Sequence, residues 1–379
     1  MIHIKPGSHV HTLISVLLLA GEFPMCSLSL LGSVRSYKDL TSRLTQVQEF
    51  RLSDTGERVT CRLLTVCGKR TYKTVRFHKN AFPLLEKFCA DGFEYYLDAF
   101  NDHSFSGNQR HIERNHLVAE STAMCMMAGI ESRPYELPDL MDASVRNLQV
   151  NEPHFYLARE IKQVNDYELN KIRFTRLAGA IVYPGGCYAV YNDRGQLPKW
   201  MGEGESKIKF HLRSIFTPLY GSDYPLREAA VVFGTNYDVA LEMLEDIRRT
   251  KKLDKGLFST YQNIFFVPMD PFGIRHLRIL TKPNWRELIL RALFKPDIRS
   301  YGRGMFIYDA YKDDTYILSF LDGDLWRLFR FREAALNRDG RFCVICFREQ
   351  VPFLRAYLGE NVQLGTVSVD KIEELLKIK

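Results

Sequence analysis

Asp193, followed twelve residues on by Glu205-Ser206-Lys207, puts two carboxylates and an ammonium group within one short stretch of the chain. Two carboxylate oxygens can hold a divalent cation such as Mg²⁺, and a neighbouring cation can orient or deprotonate a metal-bound water. That is the minimum for metal-dependent cleavage of a phosphodiester. Glu203 is near enough in sequence to assist. Glu-x-Lys is also common on solvated helices, so the elements that hold these residues decide what they can do.

Residues 176–183 and 187–192 are extended apolar runs on either side of Pro184-Gly185-Gly186. The pattern predicts a β-hairpin that closes at Asp193-Arg194-Gly195, with Asp193 capping the chain reversal and Tyr191 packing as an ordinary strand residue. Ile208, Leu212, Ile215 and Phe216 then share one helix face. Glu205 is therefore expected in the first turn of a helix, a solvated charge favoured by the macrodipole. Strands at 229–234 and 264–268 flank a helix at 237–250. The alternation continues as strand 315–320, helix 325–336, strand 342–347, helix 350–358, strand 362–369 and helix 370–378. Such alternation predicts mixed or parallel α/β sheets.

With 379 residues, 46% hydrophobic and 26% charged, the chain is globular and long enough for two or three domains. It contains no run of 18 or more apolar residues, so no membrane span is expected. Residues 10–20 have the apolarity of a signal peptide. Their basic flank is only Lys5, however, and Gly21-Glu22-Phe23-Pro24 is no small-residue cleavage site, so the segment is read as a buried helix. The 8 cysteines lack the spacing of a disulfide framework and point to a reducing, cytoplasmic setting. Cys343 and Cys346 lie in an apolar strand, where residues three apart face opposite ways, so they are expected as core thiols rather than as ligands of one metal. His111 and His116, five apart, match no helical ligand pair. No cofactor is expected.

Residues 1–80 hold 12 Lys and Arg against 5 Asp and Glu, a net +7 equal to that of the whole chain. A basic N-terminal module on a neutral body is the asymmetry of a nucleic-acid-binding domain joined to something else. A helix at 9–20, short helical pieces at 25–31 and 33–44, then extended segments at 49–52, 58–66 and 71–77 follow the order of a winged helix-turn-helix. In that motif the third helix enters the major groove and the wing touches the neighbouring backbone. The candidate contacts to double-stranded DNA are then Arg35, Ser36, Lys38, Thr41, Ser42 and Arg43 on the third helix, and Lys69, Arg70, Lys73 and Arg76 on the hairpin. Helices at 82–88 and 116–127 are expected to lead into a connector.

The basic winged helix, the helical connector, the hairpin ending in Asp193-Arg194-Gly195 and the strand-helix stretch AAVVFGTNYDVALEMLED together resemble the plasmid replication-relaxation family over roughly residues 8–290. The resemblance implies an α+β, α/β multidomain chain with a winged helix-turn-helix at 1–92, a helical connector at 93–150 and a restriction-endonuclease-like α/β domain at 151–294; beyond it, the strand-helix alternation is read as an added C-terminal α/β lobe at 295–379. It implies a non-catalytic DNA-binding accessory protein of a plasmid or conjugative element, acting in replication, relaxation or mobilisation beside a relaxase or replication protein. In a restriction-type core the first metal ligand opens one hairpin strand and Glu-x-Lys closes the other. Ala178 and Tyr191-Asn192-Asp193 hold those places here, which implies a nuclease-like scaffold without the metal ligands. A metal-dependent nuclease using Asp193, Glu205 and Lys207, and a transcriptional regulator of the element, stand as alternatives.

Overall fold

The structure, a computed structural model, describes residues 1–69, 72–142, 144–164, 176–195, 202–226, 229–250, 257–300 and 306–378. The chain is mixed α and β and divides into two units, one made of residues 1–142 and 154–160, the other of 143–153 and 161–379. No helix among the described residues is long and apolar enough to cross a membrane.

The first unit contains β1 (Ile2–Ile4), α1 (His9–Ala20), β2 (Glu22–Pro24), a 3₁₀ stretch at Met25–Leu31, α2 (Val34–Leu44), β3 (Gln48–Leu52), β4 (Arg58–Cys61), β5 (Leu64–Cys67), β6 (Thr74–Phe77), α3 (Phe82–Phe88), α4 (Ala90–Ala99), α5 (Gln109–Met127) and β7 (His154–Leu157). Ser8 caps α1 by accepting from the His11 amide. The helix is apolar on nearly every side because α4 and α5 both pack on it, and Leu13, Ile14, Leu17 and Leu19 are fully buried. Gly21 ends it at φ 71°, where a Cβ would also strike the Phe100 ring.

Two small sheets follow, in the orders β1-β3-β4 and β2-β6-β5. The extended run expected at 58–66 is broken at Arg62-Leu63: β4 pairs with β3, whereas β5 pairs with β6 in the other sheet. The long helix α5 opens at the Asn108 cap, earlier than the expected residue 116, because Gln109 to Asn115 is polar and shows no apolar stripe. No division falls at residue 92: α5 packs on α1 and β2, so the expected module and connector share one unit.

The chain enters the second unit along α6 (Ala158–Gln163) and continues through β8 (Leu177–Tyr183), β9 (Gly186–Arg194), α7 (Gly202–Tyr220), β10 (Ala229–Gly234), α8 (Tyr237–Thr250), α9 (Leu257–Thr260), β11 (Asn263–Pro268), α10 (Pro271–Leu280) and α11 (Trp285–Leu293). The C-terminal part adds β12 (Ala310–Lys312), β13 (Thr315–Ser319), α12 (Leu325–Asn337), β14 (Arg341–Phe347), α13 (Val351–Leu358), β15 (Val362–Val367) and α14 (Val369–Leu375). Across the first sheet of this unit, β8 and β9 form the antiparallel hairpin, and β9, β10 and β11 run parallel. Parallel strands covered on both faces read as continuous apolar runs, and β8 and β10 are buried throughout. The second sheet has the order β12-β13-β14-β15, parallel except at its β12 edge. On β14, Cys346 is buried and Cys343 half-buried.

No division falls at residue 294 either, because a buried charge network ties the two sheets. The Arg327 guanidinium donates to both oxygens of Asp309 at 2.6 and 2.7 Å and to Asp322 at 2.6 Å, with all three residues at 3% exposure or less. Asp322 accepts the Asp324 amide. Asp324 caps α12 through the Trp326 and Arg327 amides and accepts from Ile264 N and the Asn263 side chain at the start of β11. Phe266 on β11 donates to the Gly323 carbonyl. Replacing Arg327 with Met would leave buried Asp322 without its cation and Asp309 with only Arg286, 3.7 Å away, and we expect a loss of about 3–5 kcal/mol in urea unfolding; a change below about 1 kcal/mol would mean that water reaches the network.

Candidate functional site

Two groups of residues carry chemistry, one in each unit. In the first unit Ser33 caps α2, accepting from the Ser36 amide. Tyr37, Thr41 and Leu44, at i, i+4 and i+7, form the buried face of α2. Arg35, Lys38, Asp39, Ser42 and Arg43 are exposed on the rest of its circumference, and Ser36 is half-buried. Thr41, expected at a groove, is 1% exposed and donates to the Tyr37 carbonyl at 2.7 Å, so it belongs to the core side of the helix.

The β5–β6 hairpin carries Lys69 and Lys73 exposed near its tip, and Gly68 at φ 78° makes the turn, where a Cβ would meet the Tyr72 carbonyl oxygen at 2.3 Å. Arg70 lies outside the described residues. Arg76 is turned inward instead of toward a phosphate: it donates to Glu22 at 2.6 and 2.9 Å and lies 4.3 Å from the Phe105 ring centroid. Glu22, 1% exposed, also accepts from Asn115 on α5, and buried His116 bonds the Thr74 hydroxyl at 3.0 Å. His116 and Arg76 are therefore part of the joint between α5 and the sheet, a role their sequence spacing did not reveal.

In the second unit the end of β9 meets the start of α7. Tyr191 and Asp193 lie near the end of β9, where the register against β10 shifts so that Asn192 faces Phe233 and Arg194 faces Gly234, with Asp193 as the extra residue between them. Glu205 is only 4% exposed, and it accepts the Tyr191 hydroxyl at 3.0 Å. Since Tyr191 has one proton to give, Tyr261 donates to it across 2.8 Å, completing a buried chain from Tyr261 through Tyr191 to Glu205. Asp193 is 7% exposed, with its Oδ1 3.7 Å from the Arg176 guanidinium.

Burial pushes the Asp193 carboxyl up to about 7, with Arg176 opposing the shift and the Glu205 charge adding to it. Burial also raises Glu205, against the Tyr191 hydrogen bond and the charges of Arg176 and Lys162. The two carboxylates thus feel each other directly.

Three expectations change here. Glu205 is a buried, hydrogen-bonded acid rather than a solvated helix-start charge. Tyr191 is its donor rather than a plain strand residue. The reversal after β9 is capped by Asn192, whose Oδ1 accepts the Arg194 amide at 3.0 Å, while Asp193 faces the cluster.

Lys207 is not brought to the pair. Glu-x-Lys on a strand would share a face, but on a helix two residues are about 200° apart. The lysine within electrostatic reach of Glu205 is Lys162 on α6, which closes a different Glu-x-Lys, Glu160-Ile161-Lys162. Nothing in the local sequence ties that second pair to Asp193. The Glu203 side chain lies outside the described residues. Among the described residues no three His, Cys, Asp or Glu are grouped as a metal cage. No family model, no curated protein and no solved structure matches this chain.

Two outcomes are expected. Glu205→Ala strands the Tyr191 hydroxyl in the core and should cost roughly 1–3 kcal/mol in chemical denaturation, where a solvated glutamate would cost a few tenths. A folded-state carboxyl raised above its unfolded value favours the folded chain at low pH, and that contribution is lost as pH rises through about 7. In chelator-treated protein, the unfolding midpoint should therefore fall between about pH 4 and about pH 7 more steeply for wild type than for Asp193→Asn. Parallel curves for the two proteins would place Asp193 in solvent.

Proposed function

We propose that this chain is a DNA-binding protein whose first unit docks on duplex DNA as a winged helix, with α2 in the major groove and the β5–β6 hairpin as the wing. The observation that carries the reading is the pairing of β2 with β6. The chain runs α1, β2, the 3₁₀ stretch, α2, then β5 and β6, and the strand order β2-β6-β5 returns the hairpin to the strand that follows α1. That connectivity supports a helical triad with a hairpin wing, the arrangement used for major-groove recognition. The β3–β4 hairpin is an insertion between the third helix and the wing.

Charge supports the same reading. Arg35, Lys38 and Arg43 on α2, and Lys69 and Lys73 on the hairpin, are exposed and form no ion pair among the described residues. Cations without an internal partner are those a polyanion can recruit at least cost, because no existing pair must be broken. Asp39 stands among them; in a groove a carboxylate accepts from cytosine N4, so it serves selectivity rather than affinity. Following the resemblance, the biological setting is a plasmid or conjugative element, where a protein of this kind positions a replication or relaxation partner at its site.

The test is equilibrium binding of the full chain to duplex DNA across a salt series. Replacing both Lys69 and Lys73 with Ala should weaken binding to every sequence alike and lower the salt slope by about 0.9 for each phosphate that is no longer neutralised. Lys38→Ala and Ser42→Ala should instead relax preference at individual base pairs, by about 1–3 kcal/mol for each base-edge interaction removed. Wild-type protein without measurable affinity at low salt overturns the proposal. Equal losses on all sequences for every variant would move the recognition surface off α2.

A further inference from the structure

In the first unit, three consecutive residues with side chains, Asn101, Asp102 and His103, sit in the left-handed region at φ 45°, 53° and 67°. Residues other than glycine visit that region singly, because Cβ crowds the following carbonyl oxygen, so a run of three must be held by its surroundings. The hold is the His103 ring. It meets Phe82 of α3, Tyr96 of α4 and Phe105, with ring centroids 5.5, 6.0 and 5.2 Å away, and its Nδ1 bonds the Tyr96 hydroxyl. The Asp102 amide then reaches the Leu97 carbonyl at 2.9 Å and the Ser104 amide the Phe100 carbonyl at 2.8 Å, which closes residues 101–105 against the end of α4. Phe105 stacks on Phe100 and covers the Arg76 guanidinium at 4.3 Å.

We propose that residues 101–105 form an acid-released latch, shut while the His103 imidazole is neutral and open once the ring takes a second proton. The hydrogen bond dictates the sense. Burial raises the Tyr96 phenol above its ordinary range, so the phenol keeps its proton and donates it, and a neutral Nδ1 has the lone pair to accept. A protonated Nδ1 has none, and the fully buried Tyr96 hydroxyl has no second acceptor among the described residues.

Charge acts in the same direction. The charged groups that face the ring are Lys79 and His78 ahead of α3 and Arg76 on β6, whereas Glu22 is taken up by Arg76 and Asn115, and Asp98 and Asp102 are exposed to water. Burial lowers the His103 imidazole from its ordinary 6.5, and Lys79, Arg76 and His78 lower it further. A base lowered in the closed form favours closure fully above 6.5, and that contribution is lost as pH falls from there through the lowered value. Opening takes Phe105 off Arg76 and Phe100, a change that does not depend on what the first unit binds.

The experiment is hydrogen exchange of the full chain, followed by mass spectrometry at about pH 7.5 and about pH 5, which bracket histidine titration, with each rate divided by its intrinsic value at that pH. Amides in 101–106 should lose protection at the lower pH while those in the core of α1, in the same unit, keep theirs. The paired variant Tyr96→Phe with His103→Phe retains two rings, removes the titrating group and the stranded hydroxyl together, and should show the same protection at both pH values. Melting temperatures show whether the paired variant folds; if it does not, the contrast between 101–106 and α1 in wild type decides. Equal protection at both pH values in wild type, a loss shared by α1, or the same loss in the folded paired variant would overturn the proposal.

Discussion

A charge removed from water must find its opposite, and in the second unit that requirement falls on Arg327. Its guanidinium joins Asp309, just before β12, to Asp322, just after β13, and both partners lie within a few per cent of complete burial. The pair geometry is bidentate on Asp309, the arrangement in which a planar guanidinium gains most from each hydrogen bond. Because Asp322 in turn positions Asp324, and Asp324 caps α12 while accepting from the head of β11, one ion network fixes the angle at which a second sheet can join the first. A set of apolar side chains could fill the same volume, but it would not specify the joint residue by residue.

The same requirement operates at the end of β9, with a different outcome. There the acids are matched by cations that stand farther off, Arg176 at 3.7 Å and partly in water, Lys162 acting on Glu205 through its field. The Asp193 carboxyl responds as a buried acid does when compensation is incomplete, holding its proton up to about pH 7, whereas Asp309 accepts three hydrogen bonds from its surroundings. The structure therefore contains one network bonded tightly through the Arg327 Nη groups, with its Nε left bare, and a looser one in which Asp193 Oδ2 has no hydrogen-bond partner.

What was legible in the sequence follows from this division. Periodicity reports which face of an element is apolar, so α1, the β8–β9 hairpin and the alternation after residue 229 could be read directly from the pattern of residues. Periodicity does not report partners. Arg76 and Glu22 are 54 positions apart, and nothing local distinguishes Arg76 from Lys73, yet one is a structural ion pair and the other is exposed. Thr41 looked like a polar residue on a basic helix until the inner face, Tyr37-Thr41-Leu44, was seen to run through it. The Glu205 reading failed for a related reason. A glutamate in the first turn of a helix is solvated in most settings, but here Tyr191 of β9 donates to it, and only the tertiary fold puts the two together.

Paired and unpaired cations are spread unevenly over the elements of both units. On α8 and α11 of the second unit, exposed arginines meet acids one turn away, Arg248 with Glu245, Arg249 with Asp246 and Arg291 with Glu287, and the half-buried Arg299 beyond α11 also reaches Glu287. Such pairs contribute little to stability, but they cancel the local field. Among the described residues of α2 and the β5–β6 hairpin the exposed cations form no ion pair, while the half-buried Arg76 has its own glutamate. Because fields of like sign add and paired charges do not, a net charge of +7 acts on a distant polyanion mainly through those unpaired residues. The sequence count located the charge within residues 1–80, and the exposed cations there that form no ion pair among the described residues lie on α2 and the hairpin tip and also at Lys5, Arg51 and Lys79.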